Sequence, residues 1–230
     1  DISEQVFETA KAIAAEGYQS SAHKVDVTKF EECQKATQDI IAKQGKIEIL
    51  CNNAGVIRLS SFLEMSDEIR DFHFDVNIKG VWNATKAVLP NMKAQKYGKI
   101  VIMSSVTGPM VADKGETAYA TTKAALWGFT KALACEVAAE NITVNAICPG
   151  YILTPMVEQI AMESNQNNPK SVIDGITGGI PMGRLGSILD IGDLVAFLVS
   201  DESRYITGTQ IVIDGGSTLP ETVSVGRNFS

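Results

Sequence analysis

A tyrosine and a lysine stand four positions apart in "ETAYATTKAALWGF", residues 116–129, an alanine-rich stretch whose apolar spacing predicts a helix. Residues at i and i+4 share one helix face with Cβ atoms about 5 to 6 Å apart, so the Lys123 ammonium could sit beside the Tyr119 hydroxyl. A neighbouring positive charge favours phenolate and lowers a phenol's pKa from about 10 toward working pH. Such a pair suits proton transfer at an alcohol or carbonyl oxygen. The same spacing also arises wherever a packed ring lies beside a lysine whose stem covers apolar surface. The elements that position the pair must decide between these readings.

Those elements alternate along the chain. Helical periodicity near 3–16, 29–44, 67–95, 117–139 and 190–199 is interleaved with apolar runs near 20–25, at 47–52 ("IEILCN"), 98–105 ("GKIVIMSS"), 142–150 ("ITVNAICPG") and 209–216 ("TQIVIDGG"). Strands apolar on both faces and alternating with helices predict a parallel sheet covered on both sides, an α/β doubly wound fold in a single domain over 1–230. Ligands in such sheets bind at the carboxyl ends of the strands. The polar clusters lie there: Asp26, "NNAG" (52–55), "SSVTG" (104–108) and "PGYILTP" (149–155). Residues 156–189 break the pattern and are expected to form a mobile segment over that edge.

Composition narrows the partners. A chain of 230 residues, 45% hydrophobic, can bury one sizeable core. Its net charge of −7 argues against nucleic acid and anionic membrane surfaces, and leaves small molecules and other subunits. Cys33, Cys51, Cys135 and Cys148 form no C-x-x-C pair and fall in predicted helices and strands, so they read as buried apolar residues. With only His23 and His73 a histidine-rich metal site is not expected. No membrane span or signal peptide is visible, which makes the cytoplasm the default location.

Taken together the motifs resemble the short-chain dehydrogenase/reductase family over nearly the whole chain. "CNNAGV" follows a strand, "DVNIKG" (75–80) lies in a long helix, "IVIMSS" precedes Tyr119 and Lys123, and "PG" with Thr154 and "IDGG" (213–216) follow in family order. "SFLEMSDEIRDFHFDVNIKGVWNATKAVLP" and "DGGSTLPETVSVG" resemble one bacterial oxidoreductase group more narrowly. The Rossmann-type opening of the family, strand, T-G-x-x-x-G-x-G and helix, does not occur in this sequence. Asp1 stands 25 residues before Asp26, the spacing expected if Asp1 ends the family's second strand, so the resemblance implies about 30 to 35 preceding residues.

The resemblance implies roles residue by residue. Tyr119 would act as general acid in reduction and general base in oxidation. Lys123 would lower its pKa and bind the nicotinamide ribose, and Ser105 would bond the substrate oxygen. Ser104 is the rival assignment, but the gap of 14 from Ser105 to Tyr119 is already one longer than the family's usual spacing and Ser104 would be further off still, so Ser105 is kept. Asn77 resembles the asparagine that kinks its helix and organises a proton-relaying water. Without the family context it would read as a solvent-facing helix residue. Asp26 and Val27 match the adenine contacts, and Asn53, Ala54 and Gly55 the loop beside the adenosine ribose. Read alone, these are strand-end turn residues. Ile152 and Thr154 match positions that hold the nicotinamide carboxamide and phosphate, in a turn shaped by Pro149 and Gly150. A carboxylate at Asp1 would accept the ribose hydroxyls and repel a 2′-phosphate, which favours NAD(H) and leaves NADP(H) open.

The resulting expectation is an oxidoreductase that interconverts a secondary alcohol and a ketone or aldehyde by hydride transfer. Candidate substrates run from hydroxysteroids to sugars, diols and acyl carriers, with Met156, Ile160, Met162 and Ile180 hinting at apolar cargo. The alternative is a non-catalytic dinucleotide-binding regulator on the same fold. Trp82, Leu126, Trp127 and Phe129 give the two long helices apolar residues beyond those needed to face a sheet, which suggests a partner surface. The family resemblance points to the same helices as the core of a homotetramer with D2 symmetry.

Overall fold

The computed structural model describes residues 1–220; residues 221–230 and the side chains of Met156 and Gln159 lie outside the described residues. Four parallel strands, β1 (Ile49–Asn52), β2 (Gly98–Met103), β3 (Ile142–Pro149) and β4 (Gln210–Ile213), stand in sequence order across the sheet. Parallel neighbours need crossovers, and helices supply them. α1 (Gln5–Ala15) and α2 (Phe30–Gln44) precede β1, and α3 (Asp67–Phe74) and α4 (Gly80–Gln95) lead into β2. α5 (Thr117–Val137) joins β2 to β3, and α6 (Pro155–Ser164), α7 (Pro169–Gly178) and α8 (Ile188–Val199) lie between β3 and β4.

Alternate strand residues point to opposite faces, and both faces are covered. Ile100, Ile102, Val144 and Ala146 pack under Val81, Val88 and Met92 of α4 and Leu126, Ala134 and Val137 of α5. Val101 and Ile147 pack on the other side beneath Leu194, Val195 and Leu198 of α8. The doubly wound reading is therefore correct. Leu126 belongs to this core at 1% exposure, so it is no part of an outer apolar surface, whereas Trp82 is 56% exposed. Cys33 and Cys148 are buried as expected, but Cys51 and Cys135 are exposed free thiols.

One stretch differs from the sequence expectation. Residues 20–25 form no strand, since none of the four strands pairs with them. Their ladder is a stub. Val25 N–H donates to the Asp1 carbonyl at 3.0 Å and the Asp1 amine to the His23 carbonyl at 3.4 Å, the bonding pattern of a single parallel bridge. Residues 156–189 contain two helices, each begun by a proline in its first turn, where the missing N–H costs nothing.

The predicted helix over 67–95 is continuous but changes pitch. Ser66 caps it by accepting from Ile69 N–H at 3.3 Å, and Asp67 and Glu68 complement the helix dipole. Between α3 and α4, Asp75–Lys79 form one π turn, in which Gly80 N–H reaches back five residues to the Asp75 carbonyl. Single π turns of this kind often mark functional positions. Asn77 sits at the centre of this one.

Candidate active site

The carboxyl ends of β1, β2 and β3 converge on Tyr119 and Lys123. Lys123 is 5% exposed, and its Nζ donates to the Met103 carbonyl at the end of β2 over 2.8 Å. Enclosure of the ammonium lowers its pKa to about 8, with Cys148 opposing that shift in part. Its Nζ lies 5.6 Å from the centroid of the Tyr119 ring. The spacing argument placed amine and phenol together, and they are together.

The expected direction of the Tyr119 pKa is overturned. Burial of the phenol raises it above its ordinary value of 10; hydrogen bonding from Ser105 pulls it down, and the Glu116 carboxylate one turn earlier pushes it up. Desolvation is the largest cause, and the Lys123 ammonium is directed at the Met103 carbonyl, not at the phenol. Tyr119 is thus held as a protonated phenol at neutral pH.

Geometry separates the two serines. Ser104 turns its hydroxyl into α5, donating to the Lys123 carbonyl at 3.0 Å. Ser105 faces Tyr119 and accepts the Thr107 N–H at 3.1 Å. The loop that follows turns at Gly108, whose φ is +102° and where a Cβ would come within 2.3 Å of the Ala120 carbonyl oxygen. Only glycine allows the loop to lie this close to the first turns of α5.

Asn77 is fully buried and does not face solvent. Its Oδ1 accepts the Val56 N–H at 2.8 Å, and its Nδ2 donates to the Val56 carbonyl and to Thr122 Oγ1, each at 3.0 Å. Both Nδ2 donors and one of the two acceptor positions of Oδ1 are thereby taken by protein partners. A Cβ added at Gly55 would lie 3.4 Å from Lys123 Nζ and 3.5 Å from Asn77 Oδ1, which locates the point where the three meet.

Gly55 also belongs to a second space. A cavity of about 660 Å³ is lined by Asp1, Asp26, Val27, Asn53, Ala54 and Gly55, joined by Leu50, Cys51 and residues of α3 and α4. Asp26 is fixed at its rim: its carboxylate accepts from Thr28 N–H at 3.0 Å and Thr28 Oγ1 at 2.7 Å, which keeps its pKa below the usual carboxylate range. Asn83 holds the Val27 carbonyl at 2.9 Å, and a Cβ at Gly80 would strike the Val27 side chain at 2.6 Å, so α4 packs directly on this loop. A slot bordered by carboxylates and small residues, ending at Gly55 beside Lys123, fits the adenosine side of a dinucleotide.

The structure places Pro149, Gly150, Ile152 and Thr154 beyond this cavity. Pro149 is tied to the serine loop by Val106 N–H at 3.0 Å. Gly150 passes Asp214 so closely that a Cβ would sit 2.7 Å from the aspartate Cβ. Ile152 pairs with Gly186 and lines a separate pocket with Arg184 and Asp190, while Thr154 precedes α6 without capping it through its side chain. Two participants escaped the sequence reading. His73 is fully buried and accepts the Arg58 N–H on Nε2 at 2.9 Å, with Nδ1 facing the Ile69 carbonyl at 2.7 Å, which pins the loop after β1. Cys148 lies under Lys123, and burial raises its thiol pKa. No spacing signal marks either one.

The enoyl-(acyl carrier protein) reductase model, of the short-chain dehydrogenase/reductase type, matches residues 1–218. The chain belongs to the short-chain dehydrogenase/reductase family. Oxidoreductase UcpA of Escherichia coli strain K12 is 59% identical over 226 residues, 98% of this chain and 86% of that protein, which agrees with the narrower resemblance of the 61–90 stretch. Among solved structures, levodione reductase superimposes with a TM-score of 0.90 at 28% identity, over 95% of this chain and 86% of that one. ElxO with NADP bound superimposes with a TM-score of 0.83 at 30% identity, over 93% and 84%. This short-chain dehydrogenase/reductase is accordingly an NAD(P)-dependent oxidoreductase acting on CH–OH groups and their carbonyl counterparts. Among the described residues no helix is long and apolar enough to cross a membrane, and no cluster of His, Cys, Asp and Glu could hold a metal ion.

Proposed function

We propose that the protein reduces a ketone or aldehyde, with Tyr119 giving the proton to the carbonyl oxygen and Ser105 binding that oxygen. The observation that carries this reading is the half-buried phenol of Tyr119, held in its O–H form beside the Ser105 hydroxyl. A general acid must hold its proton at working pH, and this phenol does. A nicotinamide dinucleotide, when bound, supplies or accepts the hydride. Asp1, Asp26, Val27 and Asn53 to Gly55 would hold its adenosine side; Lys123, Pro149, Gly150, Ile152 and Thr154 would hold its nicotinamide side. Lys123 keeps positive charge near the phenol, which favours the phenolate left after proton transfer. Asn77 would fix the loop between the two regions.

Substrate and cofactor form are tested together. NADH and NADPH consumption would be followed with levodione, a steroid ketone, an aldose and small aldehydes. Exposed Asp1 lines the cavity with Asp26, and its Oδ1 accepts only a local bond from Ser3 N–H at 2.8 Å. A carboxylate there repels a 2′-phosphate, so kcat/KM should be higher with NADH. A higher value with NADPH would overturn that preference. The segment formed by α6 and α7 is proposed to cover the substrate. Ile180, just after α7, is buried and Met162 of α6 exposed, and the side chain of Met156 lies outside the described residues.

The assembly proposed is a homotetramer built first through α4 and α5. Their faces turned from the sheet enclose an apolar groove of about 700 Å³, lined by Trp82, Leu89, Phe129 and Leu133, with the Trp82 and Phe129 rings 5.5 Å apart. Trp127 stands aside from it, stacked under Lys131 at 4.7 Å. A second contact through β4 and Asp214–Gly216 would complete D2 symmetry. Light scattering at micromolar concentration should give the mass of four chains. A dimer would remove the β4 contact, and a monomer both.

A further inference from the structure

Thr122 sits between the phenol and the amine in sequence and is fully buried. Its hydroxyl donates to the Tyr119 carbonyl at 2.7 Å and accepts from Asn77 Nδ2 at 3.0 Å. The same Nδ2 donates to the Val56 carbonyl at 3.0 Å, and Asn77 Oδ1 accepts the Val56 N–H at 2.8 Å. One unbroken run of hydrogen bonds therefore leads from the loop that lines the 660 Å³ cavity, through the π turn, to the backbone of the tyrosine.

A threonine bonding back to a carbonyl one turn earlier is an ordinary helix feature. Thr121 and Thr130 of the same helix do it too, at 2.7 Å to Thr117 and Leu126. Thr122 differs by accepting a second bond from another element, and that element is the π turn. Thr130, equally buried but without that second bond, is an internal control.

We propose that Thr122 is a positioning residue, setting the place of Tyr119 and Lys123 relative to the nucleotide-side loop through Asn77. This rests on the acid–base reading of Tyr119. Valine keeps the shape of threonine and lacks the hydroxyl, so in Thr122→Val the run is cut at one atom. A misplacement of about 1 Å in such a site costs on the order of 10²-fold in rate.

The test compares Thr122→Val, Thr122→Ser and Thr130→Val in the full chain, by thermal midpoint, NADH titration, and kcat, KM and their pH midpoints on the most active ketone. Thr122→Val should lose roughly 10- to 100-fold in kcat, move the pH midpoint of kcat and weaken NADH binding. Thr122→Ser should restore all three to within about threefold, and Thr130→Val should lose thermal stability alone. If Thr122→Val does not fold, Thr122→Ala carries the same comparison. Equal effects of the two valine variants, or failure of serine to restore, would overturn the proposal. Absence of turnover with every carbonyl would sink the acid–base reading instead. NADH binding weakened in Thr122→Val but not in Thr130→Val would still uphold the link to the loop, and unchanged binding would reject it.

Discussion

Tyr119→Phe is expected to lower kcat by about 10²- to 10⁴-fold, the loss that follows removal of a general acid, while NADH still binds. Phenylalanine keeps the ring and gives up only the hydroxyl. The ring packs on α5 beside Lys123, whose ammonium is anchored on the Met103 carbonyl and not on the phenol, so the substitution leaves the lysine's hydrogen bond intact. The cavity residues from Asp1 to Gly55 do not include the tyrosine, and their geometry should persist. Ser105 loses one partner but retains the Thr107 N–H. Steady-state rates with a saturating ketone, beside an NADH titration of the same variant, check this. More than about a tenth of the parent kcat would remove Tyr119 from the role, since general-acid loss costs at least tenfold more.

What the sequence made legible follows from which interactions are local. The alternation of helices and doubly apolar strands is a repeating pattern, and the parallel order of β1 to β4 follows from it. The Tyr119–Lys123 spacing is set by a single helix, so their proximity was readable. The ionisation of Tyr119 was not, because its largest cause is desolvation, which depends on what α5 packs against. Ser104 and Ser105 are adjacent and chemically identical; the approach of the Lys123 carbonyl to one of them separates their surroundings. Thr122 and Asn77 are 45 residues apart, and a hydrogen bond over that separation leaves no periodic trace. Leu126 and Trp82 looked alike as apolar residues on long helices, yet one fills the core and the other faces outward, because rotation about a helix axis decides burial.

Lys123→Met should abolish most turnover, about 10²-fold or more for a lost electrostatic contact, and weaken NADH binding. It should also change how stability depends on pH. An amine that titrates at 10.5 in water but at about 8 in the fold carries about 3 kcal/mol against its charged form. The folded pKa lies below the unfolded one. Below pH 8 both states are charged and the penalty is fully present. Between about 8 and 10.5 the folded protein has released the proton and the unfolded chain still binds it, so stability rises with pH across that window. Methionine fills similar volume and cannot titrate, so the variant lacks this rise. It also leaves the Met103 carbonyl without its donor, a cost of about 1 to 3 kcal/mol that opposes the relief of removing the buried charge near neutrality. The two effects are separable, because the carbonyl cost does not vary with pH. Thermal midpoints measured from pH 7 to 10 should therefore show the parent gaining on the variant by several degrees above pH 8, at about 2 to 4 °C per kcal/mol for a chain of this size. A gap that stays constant with pH would mean that the ammonium is not held against desolvation, and that the fold carries no electrostatic cost to keep a charge at this site.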